Sequence, residues 1–321
     1  MPDRPQLLSL GSIAADFQAQ LAEPVGQSET VRPLRVVRFS GGKAANVACF
    51  ARRLGHPAVL LGRVGSDDLA RQALDPLVAA GVDVASVRHL SGPTAVSLIL
   101  VPPDGKKRIV ASPGVAAEAD AQDQAAVLRR VAAAPAGSVL VADYEVAPAL
   151  VSAAVAAAHR RGLRVVVDPA PPGLVPLSDM DCIDALTPNA GEAAALARVP
   201  SGGPAAPLAA ARVLAGHAVR AVCVKLDDGG CIVLAGGQAW QLHPAPARLV
   251  DSTGAGDAFT AAFAVALLEG ADPLEAARHG VAASEIAVSV FGSQPAYPDR
   301  SALQARLALA RRVERLPPGS G

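Results

Sequence analysis

The chain is short of cysteine, of net charge and of long apolar runs, and each shortage closes off a class of protein. Its four cysteines, Cys49, Cys182, Cys223 and Cys231, are scattered through 321 residues, each within an apolar stretch. That spacing builds neither a disulfide framework nor a CxxC metal site, so buried reduced thiols in a cytoplasmic protein are the expectation. Twenty-nine basic residues balance 29 acidic ones, and the formal net charge is zero. No electrostatic footprint for nucleic acid or an anionic membrane surface remains. The longest apolar run, 258–268, contains Thr260 and is too short to span a bilayer. The opening MPDRPQLLSLGS lacks the basic-then-apolar order of a signal peptide.

What the chain has is alternation. Runs at 7–10, 59–62, 139–142, 164–168, 183–187 and 222–226 read as strands, several of them apolar on both faces. Alanine-rich helical patterns lie between them, at 68–80, 121–133, 147–161 and 205–216, and beyond residue 250 the chain turns mostly helical. Such alternation implies βαβ units and a parallel sheet. Two segments break the rhythm. The stretch 17–40 is mixed and polar, and 94–111 has the form of a hairpin turning at Pro103-Asp104-Gly105. Both fit a small sheet outside the main one. No linker divides the chain, so one domain is expected over 1–315, with 316–321 (LPPGSG) a disordered tail.

The stretch DSTGAGDAFTAAF, 251–263, departs most from its surroundings. Helical spacing of Phe259, Phe263, Ala266 and Leu267 puts Gly254-Ala255-Gly256 at a helix N-terminus. There the backbone amides lack internal partners and the helix dipole is positive, so small residues leave them open to an anion. Asp257 projects from the same turn. An anion hole beside a carboxylate base suits phosphoryl transfer to a hydroxyl. A first-turn acid often only complements the dipole, but a simple cap does not need three small residues.

Two further stretches carry polar groups at helix starts. In SGGKAANVACFARRLG, 40–55, Gly41 and Gly42 permit close backbone approach, Lys43 can reach hydroxyls or phosphate, and Asn46 flanks the apolar face. It is not a P-loop. In TPNAGEAAAL, 187–196, Asn189 and Glu192 share one helix face. They suit either an N-terminal cap or an outer contact to a hydrated Mg²⁺–phosphate.

GGKAANVA and DSTGAGDAF resemble the two signatures of the ribokinase-like (PfkB) carbohydrate kinases, in the same order along the chain. LGSIAAD at 10–16, VDPAPP at 167–172, TPNAGE at 187–192 and GSQPAYP at 292–298 extend the resemblance over nearly the whole chain, closest to the ribokinase-type subgroup. It implies an α/β fold with a doubly wound, mostly parallel sheet, flanking helices and a small β-sheet lid over a sugar. It implies transfer of the ATP γ-phosphate to a hydroxyl of a ribose-like furanose with Mg²⁺, often aided by K⁺, and a homodimer joined through the lids. By the same resemblance Asp257 is the base and Gly254, Ala255 and Gly256 the anion hole. Asp16, Gly41, Gly42, Lys43, Asn46 and Glu145 contact the sugar. Asn189, Lys225, Asp228 and Gly230 bind ATP, with Asn189 and Glu192 holding Mg²⁺ through water. Asp251, Thr253, Ala287 and Gly292 hold the monovalent cation.

Three positions depart from that pattern. Ala14 replaces an asparagine that bonds the sugar, Asp227 a glycine of the nucleotide loop, and Ala296 a serine near the cation. A nucleoside or keto-sugar-acid kinase and a non-catalytic sugar sensor are the alternatives. With aromatics at 3%, the chain has few rings to hold a nucleobase. A nicotinamide dehydrogenase would need G-x-G-x-x-G after the first strand, where LGSIAAD stands.

Overall fold

The computed structural model describes residues 4–26 and 30–317. The chain runs through β1 (Leu7–Leu10), β2 (Ala14–Leu21), β3 (Pro33–Gly41), α1 (Lys43–Arg53), β4 (Ala58–Gly65), α2 (Asp68–Ala79), β5 (Asp83–Leu90), β6 (Ala95–Val101) and β7 (Arg108–Ser112). It continues through α3 (Ala121–Ala132), β8 (Val139–Asp143), α4 (Pro148–Arg160), β9 (Arg164–Asp168), β10 (Ala185–Leu186), α5 (Ala190–Ala197) and α6 (Ala206–Ala215). It closes with β11 (Ala221–Lys225), β12 (Cys231–Ala235), β13 (Gln238–Leu242), α7 (Ala255–Leu268), α8 (Pro273–Ala287), α9 (Arg300–Leu307) and β14 (Val313–Arg315).

Ten strands form one sheet in the order β14-β13-β12-β11-β10-β9-β8-β1-β4-β5. From β11 to β5 the neighbours run parallel, and β12 to β14 add an antiparallel edge. That edge is not among the strands expected from the sequence. Its hairpin turns on Gly236-Gly237, both at positive φ (56° and 74°), which suits a two-residue connection. The expected strand at 183–187 shortens to two residues. Its flanks still hydrogen-bond β9, through Asp184 N to Val165 O and Thr187 N to Val167 O, both 2.9 Å.

Helices cover both faces. On one side α1, α2, α7, α8 and α9 pack on the sheet, and on the other α3 to α6 do. Helix α7 is buried almost throughout, from Asp257 to Leu267, as expected of a helix without a polar stripe. Its alanines and Gly280 of α8, where a Cβ would lie 2.8 Å from the Phe259 ring, allow close helix approach.

After β1 the chain builds β4 and β5 on one side, then crosses to lay β8 to β11 on the other. The reversal lies between β1 and β8, and a crevice opens outside the carboxyl ends of strands at such a point. Asp143, Asp168 and Lys225 end β8, β9 and β11 there.

The two irregular segments form a second sheet, β3-β2-β6-β7, with β2 and β6 parallel. Its outer face exposes Leu34 (66%), Val36 (59%), Leu98 (51%) and Val110 (71%). Its inner face carries Asp16 and Gln18, while Ile99, Val101 and Phe291 tie it to the body. Residues 27–29 of the expected lid segment lie outside the described residues, as do 318–321 of the expected tail. Leu316 and Pro317 are not disordered: Leu316 N donates to Ala239 O (2.8 Å) and Pro317 O accepts from Arg212 (2.6 Å). Among the described residues no helix is long and apolar enough to cross a membrane.

Candidate active site

Gly254 caps α7 in the left-handed region (φ 73°), and a Cβ there would fall 2.5 Å from the Ser293 side chain and 2.7 Å from Tyr297 Oη. Only glycine admits this turn. It aims the first-turn amides of α7 into the crevice. A Cβ on Gly256 would come 3.4 Å from Lys225 Nζ, so this ammonium lies beside the first turn of α7. Gly254, Ala255, Gly256, Asp257 and Lys225 are thus brought together.

Asp168 organises the charges around them. Its Oδ2 meets Lys225 Nζ at 2.8 Å and its Oδ1 meets Lys43 Nζ at 3.3 Å, while Lys43 also lies 3.7 Å from Asp257 Oδ1. Burial alone would raise the Asp168 carboxyl, but Lys225 and Lys43 hold it at about 2. Burial likewise works against the Lys43 ammonium, and Asp168 and Asp257 override it, keeping Lys43 charged. Lys43 therefore serves the network first and is not a free cation for a substrate.

On the lid side, Asp16 is buried, and a Cβ on Gly41 would lie 2.0 Å from its Oδ2, so Gly41 makes the room it occupies. Burial pushes the Asp16 carboxyl up to about 7, against a hydrogen bond from Ser97 and with help from Asp257 and Glu145. Its Oδ1 has no protein partner. Ser12 Oγ donates to Glu145 Oε2 (2.7 Å) and accepts from the Lys43 amide (2.9 Å). Gly42, between lid and helix, has φ 93°. Asn46 is buried, not half-buried, and its Nδ2 donates to Asp257 Oδ2 at 2.7 Å.

The expected metal positions divide. Asn189 and Glu192 form a capping box on α5, each side chain accepting the other's amide at 2.8 Å. Glu192 is half-buried, and its second carboxylate oxygen is not used by the cap. Asp251 is fully buried and accepts from Thr253 N and Gly292 N, each at 2.8 Å, and from Gln18 Nε2. Ala287 ends α8, and the next carbonyl, Val288 O, accepts from Asp251 N at 3.1 Å. Two buried oxygens near this loop, Gln18 Oε1 and Ser293 Oγ, have no partner. A carboxylate among unsatisfied oxygens fits a monovalent cation. Asp228 and Gly230 form the turn after β11, with Gly230 N donating to Asp228 Oδ1 at 2.8 Å. Of the expected nucleotide residues, Lys225 lies beside the first turn of α7.

Several site residues went unassigned in the sequence. Asp168 was visible only inside VDPAPP. Asp143 accepts from the amides of Ser12 and Glu145 beneath the crevice. Lys107, at the lid hairpin, donates through Nζ to Ser252 O at 3.0 Å, just ahead of Gly254. A lysine beside a turn carries no local signal of such a contact.

The pfkB family of carbohydrate kinases matches residues 4–300, and the chain belongs to that family. It is an ATP-dependent phosphotransferase that acts on a sugar hydroxyl. The ribokinase of Arabidopsis thaliana is 30% identical over 311 residues, covering 93% of this chain and 80% of that protein. The Haemophilus influenzae ribokinase is 30% identical over 299 residues, covering 92% of this chain and 96% of that protein. Among solved structures, Arabidopsis thaliana ribokinase complexed with ribose and ATP superposes with a TM-score of 0.80 at 28% identity, covering 96% of this chain and 100% of the other. Ribokinase from Thermotoga maritima gives 0.81 at 27% identity, covering 94% and 99%. The ribokinase-like fold expected from the sequence is the one observed.

Asp16 yields a prediction about stability. Its folded carboxyl titrates near 7 against an ordinary 3.8, so the folded state binds the proton more tightly than the unfolded chain. Stability therefore falls as pH rises from about 4 to about 7. Replacing Asp16 by Asn is expected to stabilise the protein at pH 8 by up to about 4 kcal/mol, with a smaller gain at pH 5. Urea melts at both pH values check this; an equal gain at each would remove the explanation.

Proposed function

We propose that the protein phosphorylates a neutral furanose of the ribose type, with Asp257 as general base. The observation that carries this reading is the placement of Asp257 in the first turn of α7, under Lys43 and with Lys225 beside the same turn. The sugar hydroxyl gives its proton to Asp257 as its oxygen attacks the γ-phosphorus of ATP, and ADP leaves. Charge growing on the transferred group is met by the amides of Gly254 to Gly256 and by Lys225. Asp16, Glu145 and Asn46 offer acceptors and a donor to the remaining hydroxyls.

The charge balance favours a neutral sugar over a sugar acid. Lys43 and Lys225 are both paired with Asp168, and Asp16, Asp143, Glu145 and Asp257 surround them. A substrate carboxylate would meet these acids while both lysines are already paired with Asp168. Ala14 removes one polar contact, so selectivity against sugars lacking the corresponding hydroxyl is expected to be weak. Ribose and ATP are the ligands named for the Arabidopsis structure, which supports the same pair here. Mg²⁺ would be held by the ATP phosphates and, through water, by Glu192, neutralising phosphate charge. A monovalent cation would be held at Asp251, ordering the loop that leads into α7. The exposed apolar lid face supports pairing of two lids in a homodimer. Four free thiols and dependence on ATP suit a cytoplasmic setting.

A coupled ADP-release assay over pentoses, hexoses, sugar acids and nucleosides tests the reading. Ribose-type furanoses are expected to turn over fastest, and activity confined to acids or nucleosides would overturn it. Asp257→Asn should lower kcat by at least about a hundredfold at nearly unchanged melting temperature. Replacing K⁺ by tetramethylammonium should slow turnover, and equal rates would exclude the cation. Val110→Glu with Leu98→Glu should shift the sedimentation of a dimer to that of a monomer; a wild-type monomer would rule the lid pairing out.

A further inference from the structure

Three buried polar side chains beside the base form a chain whose direction is fixed at one end by a peptide carbonyl. Ser40 Oγ donates its only proton to Ala73 O of α2, at 2.7 Å. Toward any other neighbour it can only accept. Gln294 Nε2 meets that need at 3.0 Å and donates to Asn46 Oδ1 at 3.1 Å. With its oxygen engaged, Asn46 turns its Nδ2 to Asp257 Oδ2, at 2.7 Å. Ser40, Gln294 and Asn46 are 3%, 6% and 4% exposed, so water does not compete for these bonds. Amide ends are ordinarily interchangeable in shape, and here the network leaves one assignment. A flipped Asn46 would set its oxygen against the carboxylate and its amino group against that of Gln294.

We infer that Gln294 is a positioning residue for the general base, acting through Asn46. It holds the Asn46 amide so that Asp257 Oδ2 is permanently occupied by a donor, and Oδ1 alone, the oxygen near Lys43, is presented to the substrate hydroxyl. Gln294 Nε2 bonds Ser40 and Asn46 and acts on Asp257 only through Asn46. Its role rests on the reading of Asp257 as the base.

Two substitutions separate the direction of the chain from its mere presence. Gln294→Met keeps the length of the side chain and removes the amide, leaving Asn46 Oδ1 without a donor. Gln294→Glu puts an acceptor where the donor was and draws the Asn46 amino group away from Asp257. With the sugar found fastest in the ADP-release assay, Gln294→Met is expected to lower kcat by about tenfold with KM for ATP within about twofold. Gln294→Glu should be at least about tenfold slower again at pH 8 and should recover as pH falls toward 5.5, where a protonated carboxyl donates. A purely structural role would not separate the two variants or respond to pH in this way. Side-chain amide NMR of the unliganded proteins, with Asn46 assigned by its loss in Asn46→Leu, reads the same chain without turnover. The wild-type Asn46 amide protons should exchange slowly with solvent, exchange should quicken in Gln294→Met, and the resonances should move in Gln294→Glu. Unchanged Asn46 resonances and exchange in both variants, or a Gln294→Glu enzyme as fast as Gln294→Met at pH 8, would overturn the inference. A wild-type protein with the protected amide but no sugar turnover would instead sink the kinase reading and leave the hydrogen-bond chain standing.

Discussion

The site depends on one buried carboxylate being shared by two lysines. Asp168 leaves the end of β9 and takes Lys43 from α1 on one oxygen and Lys225 from β11 on the other. Three elements from distant parts of the chain are thereby pulled to one point at the crevice. Removing one member of such a buried set leaves an uncompensated charge, which is costly in a way that an exposed pair is not. The network also explains why acids crowd here without driving the strands apart. Asp257 and Glu145 share the field of Lys43, and burial is offset group by group rather than for the site as a whole.

Around that anchor the division of labour is simple. The main sheet fixes where carboxyl ends of strands deliver polar groups, and α7 supplies open amides at its start. The lid sheet brings Asp16 and Gln18 over the opening. Helix α7 has no solvent face to trade for adjustment, so its first turn is held in place by packing along its whole length. Rigidity of that kind suits a group of amides that must already point where charge will appear.

Much of this was legible in the sequence because the signals were local. The run Gly254-Ala255-Gly256-Asp257 announced a helix start with exposed amides, and Pro103-Asp104-Gly105 announced the hairpin of the lid. Most of the parallel strands declared themselves by short, largely apolar runs, but β5, with the sequence DVASVRHL at the sheet edge, has no such run and was not expected. The β12–β13 hairpin carried a local signal as well, Gly236-Gly237 between two apolar runs, yet its strands face an antiparallel edge that the alternation elsewhere does not lead one to expect. What the sequence hid is pairing at a distance. Gln18 and Asp251 are 233 residues apart, Asn46 and Asp257 211 apart, and nothing local in either partner marks the contact. Lys43 looked like a free cation for the same reason: its partner Asp168 lies on another strand end. Asn189 and Glu192 satisfied two readings at once, and the structure shows the cap while leaving one oxygen of the half-buried Glu192 uncommitted by it.

The junction between lid and body has a mechanical consequence. Strand β3 ends at Gly41 and helix α1 begins at Lys43, so Gly42 alone separates a lid strand from a body helix. Strand β2 is likewise joined to β1 by only Gly11, Ser12 and Ile13. Two of the four connections between lid and body therefore run through residues next to Asp16 and Lys43. A lid turned about those two connections would carry Asp16 and Lys43 with it. If the sugar binds as proposed, covering it and contacting it would then be coupled through the same few residues.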